Sequence, residues 1–127
     1  MLDLRKVLVI EDSPMMRSLY RMVLEEVADA LLFAEDGVEG LDVASREPDV
    51  DLYIVDVNLP RLDGIEFIRR LRTELDADSP VVVVSTECDE PDRAAAYEAG
   101  ADAYLCKPWQ PRELLEILGD LQAGQTR

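Results

Sequence analysis

The sequence predicts an α/β fold with one parallel sheet built from about five βα units. Two observations lead to this prediction: apolar runs of strand length alternate with amphipathic segments of helix length over the 127 residues, and no linker or low-complexity segment interrupts them. This alternation is typical of βαβ units, whose right-handed crossovers place helices on both faces of a sheet. A chain of this length is expected to form one domain, taken as residues 1–127.

Five apolar runs are the predicted strands. Most are apolar throughout rather than alternating, which is expected where helices cover both faces of a parallel sheet. The runs are residues 6–10, 30–34, 52–55, 81–84 and 102–106.

The helices between these strands carry recognisable start and stop signals. Ser13 is a good N-cap and is followed by proline, and Asp36 and Asp63 can start the second and third helices. The fourth helix is predicted to begin near residue 89 and to end at Gly100, a favourable C-cap. The fifth is predicted to run from about residue 110 to residue 121, with a frayed tail over residues 122–127.

Composition excludes several classes of function. The formal net charge of −15 at pH 7 disfavours non-specific binding to nucleic acid and to anionic lipid. Histidine is absent, which excludes His-based acid–base catalysis and His-ligated metal sites. No apolar run approaches the roughly 20 residues that a membrane span requires, and the first residues do not resemble a signal peptide. We therefore expect a cytoplasmic protein that binds neither DNA nor membranes directly.

Cys88 and Cys106 are the only cysteines. Their spacing matches no zinc motif, and a cytosolic setting keeps thiols reduced. We therefore expect two reduced thiols.

Charged and hydroxyl side chains follow four of the predicted strands. Because the carboxyl ends of parallel strands meet at one edge of a sheet, these groups are expected to converge there. Crowded carboxylates repel one another unless a cation neutralises them, and Mg²⁺ suits a site of hard oxygen ligands with room for water and a phosphate. The residues are Glu11 and Asp12 after the first strand, Asp56 after the third, Ser85 after the fourth and Lys107 after the fifth.

Two of these residues are not explained by ordinary structural roles. Taken singly, Glu11 or Asp12 could serve only as a helix cap, but Asp56 leads into a loop. Lys107 lies opposite three acids, which favours charge pairing or phosphate binding over a solvated surface position. The sequence has no nucleophilic triad and no glycine-rich phosphate loop. A carboxylate is therefore the plausible nucleophile, since aspartate can form an aspartyl phosphate when a metal screens its charge.

In order and spacing, these residues resemble the receiver domain of bacterial two-component response regulators over nearly the whole chain. The resemblance also includes residues 59–64, Leu-Pro-Arg-Leu-Asp-Gly, and the Lys107-Pro108 pair. It implies a doubly wound, flavodoxin-like (βα)5 fold with strand order 2-1-3-4-5.

The resemblance implies a metal site and a phosphoacceptor. Asp56 would accept the phosphoryl group. Mg²⁺ would be held by Asp12 directly, by Glu11 through water, by Asp56 and by the backbone carbonyl of Asn58.

The resemblance also implies a switch. Ser85 would hydrogen-bond the phosphoryl group, Lys107 would pair with it, and Tyr104 matches the aromatic position that turns inward when the hydroxyl moves. The Lys107-Pro108 peptide bond is expected to be cis.

Some positions depart from the commonest family pattern. Thr86 stands where a smaller residue is common, so we expect its bulk to narrow access to Asp56. Thr86, Asn58 and Glu87 are the side chains expected to influence access and kinetics. The last helix carries Glu113, Glu116 and Asp120, so a basic face for an acidic partner is not expected.

The predicted function is a phosphorylation-activated signalling module. A histidine kinase or phosphotransfer protein would phosphorylate Asp56, slow self-hydrolysis would follow, and an unknown output protein would bind the face made by the fourth helix, fifth strand and fifth helix. The protein would catalyse only its own phosphorylation and dephosphorylation, as a monomer or as a phosphorylation-dependent dimer.

Three alternatives remain open at this point. An aspartyl-phosphate phosphatase would need a second acid two residues after the nucleophile, where this chain has Asn58. A flavodoxin-like flavin binder would place the flavin phosphate against an acidic loop. The chain could also be a receiver cut from a longer regulator.

Overall fold

The structure, a computed structural model, describes residues 4–123, which form five strands and five helices in strict alternation. The strands are β1 (Leu4–Ile10), β2 (Ala28–Ala34), β3 (Leu52–Asp56), β4 (Val81–Ser85) and β5 (Ala103–Cys106). The helices are α1 (Pro14–Leu24), α2 (Gly37–Arg46), α3 (Gly64–Thr73), α4 (Glu90–Ala99) and α5 (Pro111–Gln122). The strand order is β2-β1-β3-β4-β5 and every pair is parallel, which confirms the predicted doubly wound arrangement.

Strands β3 and β4 extend one residue beyond their predicted ends, so that Asp56 and Ser85 are themselves the last strand residues. The reason is that the hydrogen-bond ladder continues past the apolar run. The N–H of Val57 donates to the carbonyl of Val84 at 3.3 Å, and the N–H of Lys107 donates to the carbonyl of Ser85 at 2.8 Å. The two polar side chains are therefore held by sheet backbone rather than by a loop.

The sheet separates two apolar clusters. Leu8 and Ile10 of β1 face a cluster that includes Phe67 of α3, whereas Val7 and Val9 face the opposite cluster. That second cluster includes side chains from α1 and α5, such as Tyr20, Leu114 and Leu118. Because both faces are covered, most residues of each strand are apolar rather than alternating with polar ones, as the sequence predicted.

The helix boundaries follow the predicted capping residues. The side chains of Ser13, Asp36 and Asp63 each accept a hydrogen bond from a backbone N–H in the first turn of their helix. Asp89 caps α4 in the same way, and Gly100 ends that helix with a φ of 123°, a left-handed conformation that favours glycine. Helix α5 includes Gln122, and residues 124–127 of the predicted tail lie outside the described range.

The prediction of two reduced thiols is wrong, because Cys88 and Cys106 form a disulfide. Their Cα atoms are 6.0 Å apart, within the range that a disulfide bridges. Pairing of β4 with β5 brings the two residues together: Ser85 is in register with Cys106, and Cys88 follows Ser85 in the β4–α4 loop. The prediction rested on the expected compartment, which carries no information about this distance.

None of the helices in the described range is long and apolar enough to cross a bilayer.

Candidate functional site

The carboxyl edge of the sheet brings together the three acids that the sequence singled out. Glu11 directly follows β1 and Asp56 ends β3, and these strands are paired with Ile10 opposite Val55. One carboxylate oxygen from each of Glu11, Asp12 and Asp56 lies within 4.8 Å of the other two. Glu11 is 1% exposed and Asp56 is 5% exposed, whereas Asp12 faces solvent. Two acids are thus held in the interior beside a third that remains open to water.

Glu11 is incompletely satisfied within this cluster. Its Oε2 accepts a hydrogen bond from the N–H of Ser13 at 3.1 Å, but among residues 4–123 no group donates a hydrogen bond to its buried Oε1. Burial is the main cause that raises the pKa of Glu11, and the charges of Asp56 and Asp12 raise it further. The Ser13 N–H and the Lys107 ammonium lower it only in part.

The cluster fits a divalent cation. It offers three carboxylates, one of them with a buried oxygen that lacks a hydrogen-bond donor, and hard oxygen donors are the ligands of Mg²⁺ and Ca²⁺. Glu11, Asp12 and Asp56 could therefore hold such an ion.

Lys107 lies between the two buried acids. Its Nζ is 3.0 Å from Oδ2 of Asp56 and 3.7 Å from Oε1 of Glu11. The other oxygen of Asp56, Oδ1, accepts a hydrogen bond from the N–H of Asn58 at 3.1 Å. The two hydrogen bonds therefore fix the orientation of the Asp56 carboxylate. The Lys107-Pro108 peptide bond is cis, as predicted.

The two predicted switch residues, Ser85 and Tyr104, both hydrogen-bond to the backbone of Glu87. Ser85 is fully buried, and its Oγ accepts a hydrogen bond from the N–H of Glu87 at 2.9 Å. Tyr104 is buried as well, and its hydroxyl donates to the carbonyl of Glu87. The backbone of one loop residue thus contacts both of these side chains. Thr86 and Glu87 are exposed beside Ser85, and the effect of Thr86 on access stays a prediction.

The β3–α3 loop is held close to the end of β3. The N–H of Gly64 donates to the carbonyl of Val57 at 2.9 Å. A Cβ at Gly64 would lie 2.4 Å from the backbone oxygen of Asp56, so only glycine fits there. Asp12 and Asn58 line an open cleft of about 610 Å³ along this loop. Of the three acids, Asp12 is the one that lines this cleft.

An ion pair that sequence reasoning missed anchors the same loop. The guanidinium of Arg61 donates to both carboxylate oxygens of Asp36, with Nε–Oδ2 at 2.8 Å and Nη2–Oδ1 at 3.0 Å. The sequence marks Asp36 only as a helix start and Arg61 only as part of the loop motif. Their separation of 25 residues left no local signal. The ion pair holds the β3–α3 loop, which contains Asn58, against the start of α2.

Comparison with known proteins gives a consistent result. Residues 7–119 match the family model of the response regulator receiver domain. A chemotaxis protein CheY homolog of Campylobacter jejuni is 36% identical over 118 residues, which cover 91% of each chain. The chemotaxis protein CheY of Halobacterium salinarum is 34% identical over 117 residues, covering 92% of this chain and 96% of that protein. The transcriptional regulatory protein ResD of Bacillus subtilis is 36% identical over 110 residues, and this chain spans only 45% of its length.

Solved structures agree with the sequence relatives. The chemotaxis protein CheY4 of Vibrio cholerae superposes with a TM-score of 0.83 at 30% identity, over 91% of this chain and 97% of that one. The fold, the edge cluster of acids and these matches lead to one assignment: the chain belongs to the family of response regulator receiver domains and acts in phosphorylation-dependent signalling.

Proposed function

We propose that Asp56 is the phosphoacceptor of this receiver and that its phosphorylation requires Mg²⁺. The proposal rests on the environment of the Asp56 carboxylate, which is buried. One of its oxygens is held by Lys107 and the other by the Asn58 N–H, and carboxylate oxygens of two further acids lie within 4.8 Å. In the reaction, an Asp56 oxygen attacks the phosphorus of the donor. The bond from phosphorus to the donor histidine or acetate breaks, and the leaving group keeps the electron pair.

The neighbouring residues would hold the metal ion and neutralise the negative charge of the reacting groups. Mg²⁺, held by Glu11, Asp12, Asp56 and the backbone carbonyl of Asn58, would screen the carboxylates and the donor's phosphoryl oxygens. Lys107 already neutralises part of the charge on Asp56 at 3.0 Å, and after transfer it would pair with the phosphoryl group.

The switch proposal rests on the hydrogen bonds at Glu87. The Oγ of Ser85 accepts a hydrogen bond from the N–H of Glu87, the residue whose carbonyl binds Tyr104, so movement of Ser85 toward a phosphoryl oxygen would break this bond or draw the loop backbone with it. A change at Ser85 would therefore reach Tyr104 through the β4–α4 loop. Output would follow at the face formed by α4, β5 and α5.

Receiver domains exchange phosphoryl groups with histidine kinases or phosphotransfer proteins, and one of these is the proposed donor. Binding of an output protein, a monomer or phosphorylation-dependent dimer, the absence of direct DNA binding and the cytoplasmic location stay predictions. The proposed chemistry is limited to phosphorylation and dephosphorylation of the chain itself.

The test is phosphorylation by acetyl phosphate with Mg²⁺, followed by intact-protein mass spectrometry and Trp109 fluorescence. Wild type should gain one phosphoryl group and should bind beryllofluoride. Asp56→Asn should do neither, because it lacks the nucleophilic oxygen. The matched control is Asp29→Asn, an exposed acid at the start of β2, which should behave as wild type. Phosphorylation of Asp56→Asn at the wild-type rate would contradict the assignment.

A further inference from the structure

We propose that Cys88 and Cys106 form a redox modification site, a disulfide that thiol reductants open and oxidised thiols close, and that its state controls the phosphorylation switch. The chemistry of the site is independent of the proposed function. Its effect on the switch rests on that function.

The disulfide joins the two segments that carry the switch. Cys88 directly follows Glu87, whose backbone holds both Ser85 and Tyr104. Cys106 ends β5 and directly precedes Lys107, which pairs with Asp56. The bond therefore ties the β4–α4 loop to the strand end that supplies the site's ammonium.

The site has a chemical feature suited to thiol–disulfide exchange. Nη2 of Arg93 lies 3.2 Å from Sγ of Cys106, and Nε of Arg93 donates to the carbonyl of Cys88 at 3.2 Å. The same guanidinium lies over the ring of Tyr104, 5.0 Å from its centroid. A cation beside a sulfur stabilises the thiolate that enters or leaves in exchange. Arg93 thus contacts both cysteine segments and the aromatic switch residue.

Both cysteine residues lie at least partly at the surface. Cys88 and Cys106 are both partly exposed, and Cys106 lines an open groove between α4 and α5 with Arg93 and Tyr104. An attacking thiolate can approach Cys88 at the partly exposed β4–α4 loop, and the groove leaves room beside the departing Cys106.

The reaction balances as two exchanges. A reductant thiolate attacks Sγ of Cys88, the Cys88–Cys106 bond breaks, and Cys106 leaves as a thiolate beside Arg93. A second reductant thiolate then attacks the reductant sulfur of this mixed disulfide, and Cys88 leaves as a thiolate that takes up a proton. The protein disulfide gains two electrons, and two reductant thiols become one disulfide.

The closed disulfide opposes the movement of the β4–α4 loop that would accompany phosphorylation. Movement of the Ser85 hydroxyl toward a phosphoryl oxygen would break its hydrogen bond with the N–H of Glu87 or draw the loop backbone with it. With Cys88 tied to β5, residues 86–88 have less freedom to move in this way. Reduction should therefore increase the affinity for beryllofluoride, a phosphoryl mimic, by roughly fivefold, near the low end of typical coupling between two sites.

The first experiment tests the redox chemistry on the full chain. The protein is equilibrated with glutathione and oxidised glutathione, trapped with a maleimide, and its free thiols are counted by mass spectrometry. We expect two free thiols in glutathione and none in excess oxidised glutathione. Cys88→Ser should instead gain a single glutathione adduct at Cys106. Two free thiols in wild type under excess oxidised glutathione would overturn the proposal.

The second experiment tests the coupling. Beryllofluoride is titrated with Mg²⁺ into oxidised wild type, dithiothreitol-reduced wild type, and the Cys88→Ser/Cys106→Ser double variant. The reduced protein and the double variant should agree with each other and bind more tightly than the oxidised protein. By reciprocity, beryllofluoride should shift the glutathione equilibrium toward free thiols by the same factor.

The outcomes separate this inference from the proposed function. Equal affinities of the oxidised and reduced proteins would overturn the redox control and leave the phosphoacceptor assignment intact. Absence of beryllofluoride binding by every form would refute the proposed function and the coupling with it. The number of free thiols would still test the redox chemistry independently.

Discussion

Replacing Lys107 by methionine tests the electrostatics of the site directly. In the described part of the chain, both salt bridges to the buried acids Glu11 and Asp56 come from Lys107. Methionine keeps most of the apolar stem and removes the ammonium. Without metal, the variant should have a lower free energy of unfolding than wild type, because two buried carboxylates lose their neutralising partner.

The size of the loss follows from the geometry. At an effective dielectric constant of about 20, single charges at the two observed distances attract by about 5.5 and 4.5 kcal/mol before desolvation is considered. Removing one partner from a buried ion pair costs about 3–5 kcal/mol. The Lys107 side chain is 19% exposed, and Glu11, whose pKa is already raised, can take up a proton. We therefore expect a loss of about 1–3 kcal/mol at neutral pH.

A divalent cation should reverse much of this loss. Mg²⁺ supplies positive charge to the same acids, and removal of the nearby ammonium should strengthen its binding. Mg²⁺ at ten times its dissociation constant adds about 1.4 kcal/mol to the free energy of unfolding. The increment should be larger in Lys107→Met than in wild type.

The assay is urea unfolding followed by Trp109 fluorescence, with EDTA and with Mg²⁺. The matched control is Lys6→Met, which removes the other lysine of the chain. Lys6 pairs with Glu47 and Asp49 near the start of β1, so its loss should not change the Mg²⁺ increment. Equal Mg²⁺ increments in wild type and Lys107→Met, or no loss of stability in EDTA, would refute this reasoning.

Three further predictions concern the metal site, access to the nucleophile and the anchored loop. Mg²⁺ should raise the melting temperature of wild type but not of Asp12→Ala, since the proposed site exists in the native protein and not in the unfolded chain. Calorimetry with and without Mg²⁺ measures this difference. Thr86→Ala should speed phosphorylation of Asp56 several-fold, equivalent to about 1 kcal/mol of barrier, in stopped-flow Trp109 fluorescence with acetyl phosphate; equal rates would count against gating by Thr86. Burial raises the pKa of Asp36, but a hydrogen bond from the α2 backbone and the Arg61 guanidinium outweigh it and hold that pKa below 3.8. The ionised Asp36 carboxylate therefore contributes to the free energy of unfolding above pH 3.8, and this contribution is lost as pH falls through the lower folded-state pKa. Asp36→Asn should be less stable than wild type by about 0.5–1 kcal/mol at pH 7. Urea unfolding should show a smaller difference at pH 3.

The secondary structure and the edge cluster of acids could be predicted because their signals are local. The capping side chains of Ser13 and Asp63 act within one turn of their own helices, and apolar runs mark strands that are covered on both faces. The convergence of Glu11 and Asp56 needed one further rule, that parallel strands end at a common edge. The strand order came from the resemblance to receiver domains, since the apolar pattern is similar in all five strands.

Contacts between segments distant along the chain were decided only by the tertiary structure. Arg61 reaches Asp36 across 25 residues because the β3–α3 loop passes the start of α2. Cys88 meets Cys106 because β4 pairs with β5 in a register that brings the loop after β4 to the end of β5. Neither pair has a periodicity or spacing that marks it in the sequence. Such contacts depend on strand register and loop path, which are set by the packing of the whole chain and not by the residues in contact.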